Sequence, residues 1–292
     1  MREMRVVATG PSGTHRFATA IPDATPGGKP APMFWAIRAG IPAWLDATLI
    51  ALTVVLPLAL WVATTIGENR RLFIPSPGST WSAAITLWTQ KDLWADIYVS
   101  SARVAAAFLF GALFGVPLGI LMGAFRTMEA IIAPIVGTIR YMPVAAFIPL
   151  IILWVGIGET SKILIIFMGI FFVNVLMVAD AVKFVPAEMI NAADTLGATQ
   201  RQVLARVILP AISPSVIDTL RVNVSGAWNY LVIAELIASS QGLGFRIVRA
   251  QRFLQTDEIF VCILLIGAIG LGIDLAFRLL SRRLVPWAHH RQ

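Results

Sequence analysis

Six stretches of this chain stay apolar for about twenty residues each, and that length limits its possible folds more than any motif does. A hydrocarbon layer about 30 Å thick is crossed by roughly 20 residues of helix, and a helix satisfies its own backbone hydrogen bonds where no water is present. The runs lie at about 44–66, 103–124, 131–157, 161–182, 214–238 and 258–280. Their apolar residues do not alternate as a barrel strand of about ten residues requires. Composition agrees: 58% of residues are hydrophobic and 13% charged, against about 25% charged in a globular domain, and mean hydropathy is +0.79. The expected fold is an all-α polytopic membrane protein with about six transmembrane helices.

Residues 1–40 are rich in Pro, Gly and Thr and lack the apolar centre of a signal peptide, so they read as a disordered cytoplasmic tail. Residues 41–285 form the membrane domain and 286–292 a second short tail. Six crossings place both termini on one side. Twelve Lys and Arg fall on that side and eight on the other, a modest lean toward cytoplasmic termini. The net charge of +7 is scattered between apolar blocks, which suits anionic lipid headgroups and not nucleic acid. One Cys and three His exclude a disulfide framework and leave no ligand set for a metal centre. No His or Cys stands beside an activating partner, and H-E-x-x-H and G-x-S-x-G are absent, so a membrane-embedded enzyme lacks its chemistry.

In the second run, Gly111, Gly115, Gly119 and Gly123 recur every four residues on one helical stripe, a surface for close approach of another helix. Ionisable groups inside spans cost several kcal/mol unless paired or hydrated, and Arg140, Asp180, Asp218, Arg221, Glu235 and Asp274 are such groups. Asp218 and Arg221, three apart, can pair on one face. Arg140 precedes Tyr141, Met142 and Pro143, and Pro143 and Pro149 invite a break in the helix. Irregular backbone at that depth survives only against protein or a water-filled cavity. Arg140 therefore either faces a cavity that admits a small anion or is satisfied by Glu235 or freed carbonyls. Asn223, Ser225, Trp228, Asn229 and Tyr230 give the fifth run a polar and aromatic face that lines a route or packs inside the bundle.

Between the fourth and fifth runs, 183–212 is the one substantial polar segment on the cytoplasmic side. Pro186 and Glu188 read as a helix start, and 191–196 as a short helix whose Ala192 and Ala193 allow another surface close. Gly197 supplies the positive φ of a helix end, and Thr199 with Gln202 forms a capping box for a second helix. Leu204, Val207 and Ile208 make its apolar stripe, and Pro210 and Pro214 mark the return to the membrane. The segment reads as a helix–turn–helix bracket for docking into another protein.

Permease subunits of bacterial ABC importers carry a cytoplasmic signature of Glu-Ala-Ala, three residues, Gly, nine residues, Ile, one residue, Leu-Pro. This chain resembles it with Asn191-Ala192-Ala193, Gly197, Val207 and Leu209-Pro210 at the same spacing, departing at Asn191 and Val207. Phe73-Ile74-Pro75-Ser76-Pro77, Ile148-Pro149-Leu150, Trp154-Val155-Gly156-Ile157-Gly158-Glu159, Ser161-Lys162-Ile163 and Phe253-Leu254-Gln255-Thr256-Asp257 resemble the nitrate/sulfonate/taurine branch.

The resemblance implies a type I importer permease fold with cytoplasmic coupling helices in the bacterial inner membrane, two permease copies forming the path as a homodimer. It also implies two cytoplasmic ATPases holding ATP and Mg, and a periplasmic or lipid-anchored solute-binding protein. Glu188, Asn191, Ala192, Ala193, Leu196 and Gly197 would carry coupling to the ATPase, and Arg140, Asn223, Trp228 and Asn229 would face the substrate. An Asp at Ala193 is expected to uncouple ATP hydrolysis from transport without unfolding the bundle. The cargo would be a small anion such as nitrate, a sulfonate, taurine or bicarbonate. No phosphate loop of the form G-x-x-x-x-G-K-[ST] occurs, so no cofactor is expected in this chain. The alternative is an ion-coupled secondary transporter with Glu235 and Asp274 as ion sites.

Overall fold

The computed structural model describes residues 42–66 and 73–289; the N-terminal tail read at 1–40 lies outside the described residues. They group into two compact units, one ending at Pro57 and one beginning at Leu58. In the first, the chain is helical from Ala43 and presents Ile50, Leu52, Val54, Val55 and Leu56 outward. This helix, α1 (Ala43–Thr64), carries Pro57 inside it.

In the second unit, α2 (Pro77–Gln90) starts where Ser76 accepts a hydrogen bond from the Ser79 N–H and Pro77 supplies a preset φ. The long α3 (Leu93–Ala124) follows. After it come α4 (Arg126–Ile139), α5 (Val144–Val155) and α6 (Glu159–Lys183). Next are α7 (Ala187–Thr195), α8 (Gln200–Val203), a π-helical turn (Leu204–Ile208) and α9 (Leu209–Ala238). The chain closes with α10 (Leu243–Arg252), α11 (Thr256–Leu284) and α12 (Pro286–His289). Among the described residues there is no strand.

Among the described residues five helical segments are long and apolar enough to cross a bilayer, and α4 and α5, bent by 98° to each other, pass that test only as a pair, which makes six if the pair is one span. The run at 131–157 is therefore two helices, not one. Arg140 ends α4 and Pro143 stands just before α5, because a proline offers no N–H and its predecessor is pushed out of the helical region. Pro149, by contrast, lies inside a continuous α5.

The core is three helices deep. α6 is buried along one face through Ile165, Ile166, Ile170, Val175, Val178 and Ala179, with α3 on one side and α9 on the other. α3 lies close enough that a Cβ on Gly119 would sit 2.7 Å from the Val175 carbonyl oxygen, and one on Gly123 would sit 2.6 Å from that of Ala179. Farther along the stripe, Gly111 and Gly115 meet the side chains of Ile170 and Asn174, and Asn174 Nδ2 donates to the Gly111 carbonyl at 2.9 Å. The polar side chain thus satisfies a carbonyl that the glycine leaves uncovered.

α3, α6 and α9 place the bracket at one end of the bundle and the 239–242 turn at the other. The second helix of the bracket is not separate, as sequence spacing suggests: 200–237 is one unbroken helical run. Pro210 is accommodated because the preceding turn widens, with the Leu209 N–H donating to the Leu204 carbonyl across five residues.

Adding one methyl at Gly123 is expected to force α3 from α6 and to lower stability by about 1–3 kcal/mol. Gly267→Ala, where a Cβ meets open space, is expected to leave stability within about 0.5 kcal/mol or to raise it slightly. Denaturant unfolding of the two variants in micelles measures the contrast.

Candidate functional site

At the end opposite the bracket, buried charges meet. Arg103 is only 3% exposed although it lies within α3, because that helix begins at Leu93 and not at the start of the apolar run. Its Nε and Nη2 donate to the two Glu159 carboxylate oxygens at 2.6 and 2.7 Å, and Nη1 donates to Glu235 Oε1 at 2.7 Å and to the Gln241 carbonyl at 2.8 Å. Lys162 Nζ reaches Glu159 at 2.8 Å. Glu235 is fully buried and also accepts from Ser100 Oγ and from the Gly244 N–H, each at 2.7 Å. Gly242 sits at φ +118, and a Cβ there would collide with the Glu235 carboxylate, so only glycine lets the turn pass over it.

Beside this cluster, Asp96 pairs with Arg246 and accepts the Gly242 N–H at 2.7 Å, and Lys91 pairs with Glu258 at 2.5 Å. Together these contacts pin α3, α6, α9, α10 and the 239–242 turn. Such a network is a clamp between helices, since every buried charge has an opposite partner. The alternative role of Glu235 as an exchangeable ion site loses its support here. Asp274 is likewise engaged, with Arg278 at 2.7 Å and Arg221 at 3.5 Å, and Arg221 also stands 3.6 Å from Asp218.

Midway along the bundle, the break between α4 and α5 opens a cavity of about 370 Å³. Arg140, Tyr141, Met142, Pro143 and Val144 form one wall, and Met168, Gly169, Phe172, Tyr230 and Ile233 the other. The Arg140 guanidinium lies 4.5 Å above the centre of the Tyr141 ring, and its Nη2 donates to the Tyr141 hydroxyl at 2.5 Å. Among the described residues no carboxylate pairs with Arg140; Glu235, its candidate partner, is committed to Arg103. Gly169 gives the Tyr230 ring its place, since a Cβ there would overlap it.

Of the residues expected on a route, Arg140 lines this cavity and Asn223, Trp228 and Asn229 do not. Asn223 is buried 3.5 Å from Asn174, and Trp228 is buried in the core, its Nε1 without a hydrogen-bond partner among the described residues. Asn229 points outward on α9 with Ser225. Tyr230 and Ile233 are the α9 side chains at the cavity. Sequence reasoning left Gly169 aside; its signal is a small residue amid large ones on α6.

At the bracket, α7 starts after Pro186 and ends at Gly197, whose φ is +77, with the Ala198 N–H donating to the Ala193 carbonyl at 3.0 Å. The Thr199 and Gln202 capping box is formed: the Thr199 N–H donates to Gln202 Oε1 at 2.8 Å and the Gln202 N–H to Thr199 Oγ1 at 3.4 Å. Glu188, Asn191, Ala192 and Leu196 are exposed, Leu196 at 89%. Ala193 instead packs with Val182, Val203, Ile208 and Ile212, so an Asp there would disturb the bracket's own core. Ala192 and Leu196 are the outward positions. Among the described residues no three His, Cys, Asp or Glu side chains come together as a metal site.

Residues 115–287 match the family of binding-protein-dependent transport system inner membrane components. The chain is 38% identical over 232 residues to the taurine transport system permease protein TauC of Escherichia coli strain K12, covering 78% of this chain and 84% of TauC. It is 33% identical over 245 residues to the putative aliphatic sulfonates transport permease protein SsuC of Bacillus subtilis strain 168, covering 84% and 88%. In fold it is similar to a chain of the inward-facing MetNI methionine ABC transporter, with a TM-score of 0.60 at 20% identity over 67% of this chain and 98% of that one.

Removing Arg103 is expected to cost about 3–5 kcal/mol, because Glu235 is left without a counter-charge in a low-dielectric site, and removing Glu235 to cost less, because Arg103 keeps Glu159. The double variant Arg103→Met with Glu235→Leu is expected to be more stable than Arg103→Met alone. A double-mutant cycle read by unfolding in micelles checks this.

Proposed function

From the premise that the chain belongs to the family of binding-protein-dependent transport system inner membrane components and is the permease subunit of an ABC importer, we propose how it works. Two copies form the path. Cytoplasmic ATPases, which hold the ATP and Mg, engage the exposed face of α7, and a periplasmic or lipid-anchored binding protein delivers a small anionic solute at the opposite end. Both termini lie in the cytoplasm. The chain itself is a multi-pass inner-membrane protein and not an enzyme.

One observation carries the coupling role. α7 is a short helix packed against the bundle through Ala193 and the Val182, Val203, Ile208 and Ile212 cluster, and it offers Leu196 and Ala192 outward with no covering partner among the described residues. An apolar side chain at 89% exposure beside a small alanine is what a groove on another protein receives. Because 200–237 is one helical run, a push on the bracket is transmitted along α9 to Tyr230 at the cavity. ATP binding would close the ATPase pair, move the brackets together and rock the helices from inward-open to outward-open. Asn191, in the position of the family's Glu, brings no charge to that contact, so its affinity rests on shape and apolar area.

The polar outward stripe of Ser225 and Asn229 on a mid-membrane helix supports a second copy beside α9, because lipid is a poor neighbour for amide groups. The sulfonate-transporting names of the relatives support an anionic cargo, and the unpaired Arg140 agrees with it.

Ala192→Asp and Leu196→Asp are expected to leave the fold intact, within about 0.5 kcal/mol of wild type. Each should reduce both ATPase co-purification and ATP-driven uptake by about tenfold or more, as loss of a central contact does. Pull-down and uptake in vesicles measure the two effects; full uptake in both variants would remove α7 from the coupling path.

A further inference from the structure

We propose that the cavity at the α4–α5 break is a binding site within the permease itself for a short organic monoanion, with the acidic head on Arg140 and the carbon body on the apolar wall. The proposal rests on the importer reading given above, and deepens it by assigning residues and a ligand chemistry to the membrane path.

The cationic end is defined by what Arg140 lacks. A guanidinium inside a membrane-spanning segment is costly unless an anion or water meets it, and among the described residues its polar contact is the Tyr141 hydroxyl alone. Arg103, Arg221 and Arg278, also within membrane helices, each face a carboxylate. Arg140 is held over the Tyr141 ring at 4.5 Å, which fixes the plane of its fork and leaves donors free for a second acceptor. Two oxygens of one sulfonate or carboxylate match that fork.

The rest of the cavity selects for the carbon body. Phe147, Met168, Phe172, Val173 and Ile233 line it, with the Tyr230 ring set in place by Gly169. Nitrate or bicarbonate could also meet the Arg140 fork, but it has no carbon body to bury against these side chains and would give up water there without gain. A chain of a few methylenes gains about 0.8 kcal/mol for each CH₂ it buries. The volume of about 370 Å³ accommodates such a molecule with water to spare. Methionines and aromatic rings suit a site that holds several chain lengths loosely enough to release them.

The test is isothermal titration of the full chain in lipid nanodiscs with sodium butanesulfonate and, separately, sodium nitrate. Saturable butanesulfonate binding is expected, with nitrate weaker by about tenfold or more. Arg140→Gln is expected to weaken butanesulfonate by about tenfold or more and Arg140→Lys by less, both with wild-type unfolding midpoints. Butanesulfonate binding that is absent, or equal in wild type and Arg140→Gln, overturns the site. Nitrate binding as tight as butanesulfonate overturns the organic-anion assignment. ATP-driven uptake in proteoliposomes is scored separately: Arg140-dependent binding without ATP-driven uptake supports the site while overturning the importer reading, and uptake without binding does the reverse.

Discussion

The close approach of α3 to α6 is the constraint on which the remaining structure depends. In a bilayer, helices gain little from hiding apolar surface from one another, since lipid is equally apolar, so association rests on packing and on satisfied polar groups. Gly119 and Gly123 bring backbone against backbone, and farther along the stripe Asn174 adds a hydrogen bond to the Gly111 carbonyl. With α3 fixed on α6, Arg103 stands opposite Glu159 and Glu235, and α9 is drawn in as the third member of the core. The cavity, the bracket and the buried ion cluster are attachments to that three-helix unit.

The attachments are also linked to each other. The π turn lets a helix containing Pro210 continue from the bracket into the membrane, so 200–237 forms one continuous rod. One end of the rod carries the capped start at Thr199, beside α7. Toward its other end it bears Tyr230 at the cavity and, five residues on, Glu235 locked to Arg103. In the proposed mechanism a displacement at the bracket end would be carried along this run toward Tyr230 and the far turn.

Local chemistry was legible in the sequence. The Gly197 helix end and the Thr199 capping box involve residues within a few positions of one another, and the structure forms each with those partners; the glycine spacing marked a contact face, though not the α6 residues it meets. The helical class and five of the apolar spans followed from the lengths of the apolar runs, whereas the run at 131–157 is broken in two. Long-range pairing was not legible: Arg103 and Glu235 are 132 residues apart, and Arg103 read as the flank of a span because α3 starts earlier than its apolar run. Facing was equally hidden. A nine-residue helix with alanines at 192 and 193 does not reveal which one meets the bundle, and the neighbouring Val203 and Ile208 decided it for Ala193. Asn223 and Trp228 were placed at a route because they are polar and aromatic; in the single chain both are buried, Asn223 beside Asn174.

The central claim is that motion in this bundle is driven from outside through the bracket. The most direct measurement is solute uptake into proteoliposomes holding the permease with its ATPase and binding protein, with the energy source varied. The account expects uptake that requires ATP, stops with orthovanadate and persists when a protonophore collapses the ion gradient. Uptake that ignores vanadate and stops with the protonophore would contradict it.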